Sequence, residues 1–454
     1  MNRRPVSSYE RLFASSSPAL GTICQWMQLR SNGMPCTQDE LVKALHTVHN
    51  EIIPLRCVLE KDGDTNETFL SFHPDIKPNI DIQNLPSDYD GDVDSPECLE
   101  QLAAAEVTRG MGPTPDDAYG KTLWRAVVLE DGWIILIFHH TICDGYSRKI
   151  FVKRLVEAIS NPNAKAPVIE LQPDAYQLLG TLIHEDEKDE VDIKEAPPLS
   201  PLKPSWPLPD EKAPIVERYN QVPSAVIPNV LSLRDKCRSH GVTVSSAIIS
   251  ALTLAVRRQM NISPCQGVDM EKITWGVDIR RHVDNSKNMF GCYVFSDGIE
   301  EPISLKENDS IWSVASNIAS TMIKSTALKR AHQKVSECKE QMEEPMTPDK
   351  LMPLLALIDG ENQGRNATLN VSNIGLIDGK STSGSVRVDK LFSISSQTAL
   401  GSYVWMNAAS IEDDLFVTLG SVHPTVSKER GRAMLAEFVR ILTDCERKGI
   451  VSNK

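Results

Sequence analysis

The segment 123–160 constrains the fold of this chain most strongly, because three adjacent patterns within it each specify a local structure. Two apolar runs, 123–128 and 133–138, flank Glu130-Asp131-Gly132, which predicts two strands joined by an Asp-Gly turn. After Gly145, apolar side chains recur at helical spacing and predict a helix. The chain between the second strand and this helix is therefore a loop at a strand end, where a side chain can be held rigidly and still face a cavity.

This loop has the sequence His139-His140-Thr141-Ile142-Cys143-Asp144-Gly145, or His-His-x-x-x-Asp-Gly. Imidazole titrates near neutral pH, so a histidine at this position suits a general base that takes a proton from a weak nucleophile. Glycine suits a tight turn, and a carboxylate can fix the loop. On the motif alone, a satisfied polar strand end and a metal site that includes Asp144 both stay open. The lack of zinc-type Cys/His spacing counts against the metal site.

The loop resembles the HHxxxDG signature of the chloramphenicol-acetyltransferase-like superfamily of thioester-dependent acyltransferases. That group includes alcohol O-acetyltransferases, polyketide-associated acyltransferases and the condensation domains of nonribosomal peptide synthetases. Weaker matches follow in order along the chain: 41–45 with Ile53-Pro54-Leu55-Arg56, Leu123-Trp124-Arg125, 241–247, Val277-Asp278-Ile279-Arg280-Arg281 and Val371-Ser372-Asn373-Ile374-Gly375. The Asp-Phe-Gly-Trp-Gly motif of plant BAHD enzymes is missing, and Ser-Asn-Ile-Gly lies where it would be expected. This favours the alcohol O-acetyltransferase or polyketide-associated branch.

The resemblance implies an α/β fold of two chloramphenicol-acetyltransferase-like domains with a solvent tunnel between them. The residues agree, because strands alternate with long helices in both halves. A charge run at 184–190 and a proline-rich stretch at 196–209 predict a semi-rigid linker. We therefore expect an N-terminal domain at 1–184, a linker at 185–215 and a C-terminal domain at 216–454. A long surface loop within one domain is the alternative.

In the second half, the sequence predicts several elements without reference to any family. Thr243 suits the cap of a helix that is apolar on most faces. The predicted elements are a helix at 244–259, a strand at 273–279, a helix at 311–327, a strand at 415–420 and a helix at 432–445. His423-Pro424 is interpreted as a turn.

The resemblance also implies roles for the motif residues. His140 is the general base that faces the tunnel, and His139 is turned into the fold. Asp144 completes the catalytic motif and is paired with Arg280 from the other domain, with Arg281 as the alternative partner. Asp144 lies too far round the turn to orient the base as the carboxylate of a Ser-His-Asp triad does.

Four further residues are interpreted from less specific patterns. Ser372 and Asn373 are candidates for stabilising an oxyanion or positioning a substrate, and an ordinary Ser-Asn-Gly turn is the alternative. Gly145 supports the loop. Cys143 lies inside the motif, but we interpret it as structural, because nothing places a base on its thiol. We predict no metal, and the sequence indicates no residues for cofactor binding.

Composition narrows the class of partner. The net charge of -13 disfavours nucleic acid and anionic membranes, since both attract basic surfaces. No apolar run is long enough to span a bilayer, and the N-terminal residues lack the apolar core of a signal peptide. The ten cysteines are scattered without a C-x-x-C pair, which is typical of reduced thiols. We expect a cytoplasmic monomer.

The function implied by the resemblance is an O-acyltransferase. It would move an acyl group, most simply acetyl, from acyl-CoA as co-substrate to a hydroxyl of a small molecule, with an amine as the other type of acceptor. A free-standing condensation-type enzyme that uses an acyl carrier protein is the main alternative, although no carrier-like segment is fused here. A non-catalytic relative of the fold and a cyclisation in the same tunnel are the others.

Overall fold

The structure is a computed structural model that describes residues 2–16, 20–64, 67–91, 96–112, 114–182, 210–259, 268–299, 302–305, 309–342 and 356–447. Of the predicted linker at 185–215, only 210–215 falls within the described residues. We refer to residues up to 182 as the N-terminal half and to residues from 210 onward as the C-terminal half.

Strands and helices alternate in the N-terminal half. Its strands are β1 (Arg3–Pro5), β2 (Leu20–Ser31), β3 (Met34–Pro35), β4 (Cys57–Lys61), β5 (Thr68–Phe72), β6 (Asn79–Ile82), β7 (Trp124–Val128) and β8 (Trp133–His139). Its helices are α1 (Ser8–Ser16), α2 (Gln38–Glu51), α3 (Glu97–Arg109), α4 (Gly145–Ser160) and α5 (Ala175–Leu182).

The C-terminal half also mixes the two kinds of element, so the predicted α/β class is confirmed. Its strands are β9 (Tyr219–Gln221), β10 (Ser224–Ile227), β11 (Val268–Met270), β12 (Ile273–Asp278), β13 (Val294–Ile299), β14 (Ile303–Leu305), β15 (Arg365–Leu376), β16 (Val386–Gln397), β17 (Gly401–Ile411) and β18 (Asp414–His423). Its helices are α6 (Val230–Ser239), α7 (Val244–Arg258), α8 (Ile311–Ser325), α9 (Leu328–Met342) and α10 (Lys428–Arg447).

The predicted hairpin lies at the centre of the N-terminal sheet, whose strand order is β16-β2-β8-β7-β6. Strands β7 and β8 pair antiparallel, and the turn between them has positive φ at Asp131 and Gly132. A Cβ on Gly132 would lie 2.3 Å from the carbonyl oxygen of Leu29, so only glycine fits against the neighbouring strand. Every residue of β8 is buried, and the strand delivers its last residue, His139, to the loop that follows.

One strand of the C-terminal half completes this sheet. Strand β16 pairs antiparallel with β2, and Phe392 stacks on Trp26 with ring centroids 5.6 Å apart. The domain boundaries at 184 and 216 remain a prediction, but this pairing shows that the two halves share a sheet and a hydrophobic core. They are therefore coupled by backbone hydrogen bonds as well as by side chains.

The C-terminal sheet has the strand order β10-β18-β17-β15-β12-β13. Its central helix α7 begins at the predicted cap, where the Thr243 hydroxyl accepts a hydrogen bond from the backbone N–H of Ser246. Residues 246–257 are buried throughout, which confirms the prediction of a buried central helix. In the described part of the chain, no single helix is long and apolar enough to cross a bilayer; α6 and α7 pass that test only if they are joined across a bend of 96°.

Candidate active site

The first histidine of the motif is turned into the protein. His139 is fully buried, and its backbone N–H donates to the carbonyl oxygen of Leu123 at 2.8 Å. Its ring Nδ1 lies 2.8 Å from the hydroxyl oxygen of Thr141. Burial lowers the pKa of His139 to about 3, so this ring is neutral and serves to fix the strand end.

The second histidine faces a cavity. The backbone N–H of His140 donates to the carbonyl oxygen of Gly21 at 2.7 Å, so β2 fixes the position from which its ring projects. The half-buried ring stacks on Phe13 with centroids 4.2 Å apart and planes 8° from parallel. Its Nδ1 lies 3.5 Å from the sulfur of Cys292, which comes from the C-terminal half. The cavity beside it measures about 390 Å³ and is lined by residues of both halves.

The environment of His140 changes its titration. Burial lowers its pKa to about 4, although the negative charge of Asp144 acts in the opposite direction. The sequence suggested a group that titrates near neutrality, and that stays a prediction; in the structure, Phe13 and Cys292 exclude part of the water around the ring, which favours a lower pKa. A neutral imidazole at pH 7 is the form that can accept a proton.

Asp144 caps helix α4 and pairs with Arg280. Its Oδ1 accepts from the backbone N–H of Ser147 at 2.9 Å, and its Oδ2 accepts from that of Tyr293 at 2.8 Å. The Arg280 guanidinium donates to both oxygens, at 2.8 and 3.0 Å. Burial would raise the pKa of Asp144, but the charge and hydrogen bonds of Arg280 outweigh it and hold that pKa below its usual value. This carboxylate therefore fixes the loop, and it makes no hydrogen bond with His140.

Arg280 joins several backbone segments at once. Besides Asp144, it donates to the carbonyl oxygens of Met289 at 3.0 Å and Gly291 at 3.2 Å and to the hydroxyl of Ser147 at 3.0 Å. The Ser147 hydroxyl in turn donates to the Gly291 carbonyl at 2.8 Å. The alternative partner, Arg281, is exposed on the cavity wall. The predicted interdomain pair is therefore the one with Arg280.

Gly145 is required by close packing. A Cβ on this residue would lie 2.3 Å from Cγ2 of Ile374 on β15. Its φ is not in the left-handed region, so the expectation that the turn needs the freedom of glycine is wrong. The absence of a side chain instead allows the start of α4 to approach the Ser-Asn-Ile-Gly strand.

Ser372 and Asn373 lie on β15 and line the same cavity as His140. The Asn373 amide is already engaged: its Nδ2 donates to the Ser245 hydroxyl at 3.0 Å, and its Oδ1 accepts from the backbone N–H of Gly375 at 3.0 Å. The Ser372 hydroxyl makes no hydrogen bond with any described residue. Ser372 is thus the better placed of the two to bind an oxyanion, and that role stays a prediction.

Cys143 has no access to substrate. It is fully buried, and burial raises the pKa of its thiol well above the ordinary value. A thiol that remains protonated is a poor nucleophile. This environment agrees with the structural interpretation of Cys143.

Several residues around the site were not found from the sequence. Phe13 and Cys292 touch the ring of His140 but are remote from it in the chain, and no local pattern marks them. Ser147 could have been found, because it lies three residues after a helix-capping aspartate. Arg148 occupies the next position on the helix and lines the cavity.

A larger cavity, about 920 Å³, lies elsewhere, between α3 and the segment 215–223. None of the motif residues lines it. Because a reaction needs convergent polar groups, the smaller cavity with His140 is the candidate active site.

Neither known protein families nor curated protein sequences yield a match to this chain. Solved structures of similar fold are known. A starter condensation domain of rhizomide synthetase, solved with C8-CoA and Leu-SNAC, superposes with a TM-score of 0.64 at 13% identity, covering 98% of this chain and 95% of its own.

The trichothecene 15-O-acetyltransferase of Fusarium sporotrichioides gives a TM-score of 0.62 at 13% identity, with 97% and 95% covered. Polyketide synthase associated protein 5 of Mycobacterium tuberculosis gives 0.57 at 14% identity, with 98% of both chains covered. These three proteins are of the kinds that the HHxxxDG motif indicated. The chain therefore has the two-lobed chloramphenicol-acetyltransferase-like fold of the acyltransferases and condensation domains.

Proposed function

We propose that this protein is an acyltransferase that moves an acyl group, most simply acetyl, from acyl-CoA to a hydroxyl of a small molecule. The observation that carries the proposal is a neutral His140 at a cavity between the two halves, on a loop fixed by the Asp144–Arg280 pair. A rigid loop keeps the imidazole in one orientation, and orientation is a large part of what an enzyme contributes to a reaction between two bound substrates.

The chemistry is set by the ring nitrogens. In the tautomer with the ring proton on Nδ1, which lies 3.5 Å from the Cys292 sulfur, Nε2 is the nitrogen that would accept the hydroxyl proton as the oxygen attacks the thioester carbonyl. The carbonyl oxygen then carries negative charge, and the free hydroxyl of Ser372 is the candidate donor to it. When the intermediate collapses, the C–S bond breaks, and the imidazolium returns its proton to the departing thiolate.

A basic cluster supports a phosphate-bearing donor. A second cavity of about 400 Å³ shares Tyr146 and Lys149 with the first, and Lys153, Arg154 and Lys287 also line it. Lys153 is paired with Asp378 at 2.8 Å, and Arg154 lies 3.5 Å from Glu51. Lys149 and Lys287 form no ion pair with any described carboxylate. They are therefore available to phosphate oxygens in spite of the acidic composition of the chain.

The same cluster suits a second candidate, a condensation-type enzyme that takes its acyl group from a carrier protein. The phosphopantetheine arm of a carrier also presents a phosphate before its thioester. The likeness to a starter condensation domain favours keeping this candidate. The two candidates share His140 and differ in the group to which the phosphate is attached, a nucleotide in CoA and a protein in the carrier.

The direct test is mass spectrometry of the purified protein with a panel of acyl-CoA donors and a library of alcohols and amines. We expect acylated product with the wild-type protein and none with His140→Ala. Product from acyl carrier protein thioesters alone would move the protein to the condensation type. Equal product formation by His140→Ala would contradict both candidates.

A further inference from the structure

The cavity beside His140 contains a second polar side chain that the chemistry above does not use. Arg148 lies one turn into α4 and is only 2% exposed, yet it lines the cavity. A Cβ on Gly145 would lie 3.8 Å from its Nη2, and the same Cβ would touch Ile374 on the facing strand. The guanidinium therefore reaches the point where α4 and β15 meet at the cavity wall.

Two of the three guanidinium nitrogens of Arg148, Nε and Nη1, are buried without a hydrogen-bond partner within the described residues. The carboxylate of Asp144 favours the charged form of Arg148, but its oxygens accept hydrogen bonds from Arg280, Ser147 and Tyr293. Burial also lowers the pKa of Arg148, because nothing replaces the water around the charge.

Two other buried arginines, Arg365 and Arg125, make more hydrogen bonds. Arg365 is 1% exposed and donates to three backbone carbonyl oxygens. Arg125 donates to the carbonyl oxygens of Gly110 and Glu106 and is paired with the Glu106 carboxylate. Buried charges in folded proteins are normally paired in this way. Arg148 differs from Arg365 and Arg125 in that two of its buried nitrogens, Nε and Nη1, make no hydrogen bond within the described residues, whereas buried Arg4 leaves only Nε in that state.

We propose that Arg148 binds a carboxylate carried by one of the two substrates, which makes the His140 cavity selective for an acidic acyl group or an acidic acceptor. The inference rests on the proposed function for the identity of those substrates. The nitrogen at the cavity wall is Nη2, which lies near Gly145 and makes no hydrogen bond with a described residue. A carboxylate that accepts from Nη2 and from one of the two neighbouring nitrogens would use one of the paired faces of the guanidinium and supply part of the hydrogen bonding that the protein does not.

Binding tests this inference without any turnover. Calorimetric titrations would use acetate, lactate, succinate and glutarate, each beside its amide, with the wild-type protein, Arg148→Met and Arg148→Lys. We expect at least one acid to bind the wild type at least fivefold more tightly than its amide, and Arg148→Met to remove that preference. The matched control is Arg281→Met, which removes an exposed cation from the same cavity wall.

Two outcomes would overturn the inference. One is a wild-type protein that binds none of the acids up to high-millimolar concentration. The other is an acid preference that Arg148→Met reduces by less than fivefold. An equally large reduction in Arg281→Met would also overturn the inference, since a general electrostatic effect would then explain the preference. The thermal unfolding midpoint of Arg148→Met should not fall, because the variant loses an unpaired charge and no hydrogen bond.

Activity then identifies which substrate carries the carboxylate. One arm compares succinyl- and glutaryl-CoA with butyryl- and valeryl-CoA on a neutral alcohol, and the other compares hydroxy acids with their amides on a neutral donor. We expect the acid-to-neutral ratio of kcat/KM to exceed five on one arm and to fall in Arg148→Met. Ratios that Arg148→Met leaves unchanged on both arms would overturn the inference. A protein that binds acids through Arg148 but acylates nothing would contradict the proposed function alone.

Discussion

At the scale of single residues, the two adjacent histidines have opposite tasks, and burial decides between them. His139 is fully buried and hydrogen-bonded to Thr141, whereas His140 lines the cavity. The motif predicted this division only through resemblance to known acyltransferases, since nothing in two neighbouring histidines shows which one faces solvent. The contacts of Phe13 and Cys292 with the ring of His140 could not be predicted from the sequence, because they depend on how distant segments pack.

If His140 is the general base, its removal should lower activity much more than stability. We expect His140→Ala to lower kcat by about a hundred- to ten-thousand-fold, the usual contribution of a general base. Its thermal midpoint should fall less than that of His139→Ala, because the ring of His140 is only half-buried. His139→Ala is the contrast: it should lower the midpoint, because it empties a fully buried position. A His140→Ala enzyme with near wild-type kcat would eliminate His140 as the base.

The low pKa of His140 makes a prediction about pH. Because burial lowers that pKa to about 4, the ring is still neutral at pH 5.5, and kcat/KM should not show a limb near the ordinary histidine value of 6.5. Stability should behave differently. Below pH 6.5 the unfolded chain binds a proton at each motif histidine, whereas in the folded protein both rings stay neutral until the pH is much lower. The free energy of unfolding should therefore fall as the pH drops from 6.5 towards 4.

Rate profiles and denaturant titrations across pH 5 to 8 would check both parts. A variant without the motif histidines, His139→Gln with His140→Gln, should lose part of the slope of stability against pH. A rate profile governed by a group near 6.5 would show that solvent in the cavity reaches His140 more freely than its packing indicates.

At the scale of elements, the strand–loop–helix unit was predictable because its signals are local. The Asp-Gly turn, the apolar run of β8 and the helical spacing of α4 each lie within a few residues of the structure they specify. The position of β16 beside β2 was not predictable. Strand pairing of this kind depends on contacts between segments at opposite ends of the chain, and the alternation of apolar residues does not name the partner.

The Asp144–Arg280 pair should act as one unit. Breaking a buried pair typically costs about 3–5 kcal/mol of folding free energy. Arg280 is also paired with Asp278 at 3.0 Å, so Asp144→Ala should cost less than Arg280→Ala, which leaves the buried Asp144 without its partner. We therefore expect Asp144→Ala and Arg280→Ala each to lower the thermal midpoint and kcat together. The double variant should lose less than the sum, which denaturant titrations of all four proteins would measure. Simple additivity would mean that the two residues do not meet in solution.

The contact between α4 and β15 gives a prediction with a built-in rescue. Gly145→Ala places a methyl group 2.3 Å from Ile374, so we expect a lower thermal midpoint and a lower kcat. Ile374→Ala should restore part of both when the two changes are combined. Gly63→Ala is the control, since a Cβ there meets nothing within 4 Å. A failure of the second substitution to rescue the first would mean that Gly145 is needed for another reason.

At the scale of the whole molecule, the net charge is an average over all residues and does not show where the basic residues cluster. A net charge of -13 argues against a surface for nucleic acid, but it does not reveal the basic cluster that both halves build around the second cavity. Lys149 comes from α4, and Lys287 lies well over a hundred residues later. Only the fold brings them to one place. The resemblance therefore predicted the class of donor, but the residues that would bind the donor could not be predicted, because they are far apart in the sequence.

The final prediction concerns this cluster. If Lys149 and Lys287 bind the phosphates of the donor, each Lys→Ala change should weaken the binding of free CoA by about two- to fivefold, which is the contribution of a partly exposed ion pair. Calorimetric titration would measure this, and wild-type affinity should fall as salt is added. Lys43→Ala, which changes an exposed lysine on α2 outside both cavities, is the control.

Activity with acyl carrier proteins distinguishes the remaining outcomes. If free CoA does not bind but carrier thioesters are used, and the two lysine changes raise the KM for the carrier, the cluster serves a phosphopantetheine arm. If neither lysine affects either donor, the phosphate is bound elsewhere, and the junction of the two cavities is not the mouth through which the thioester reaches His140.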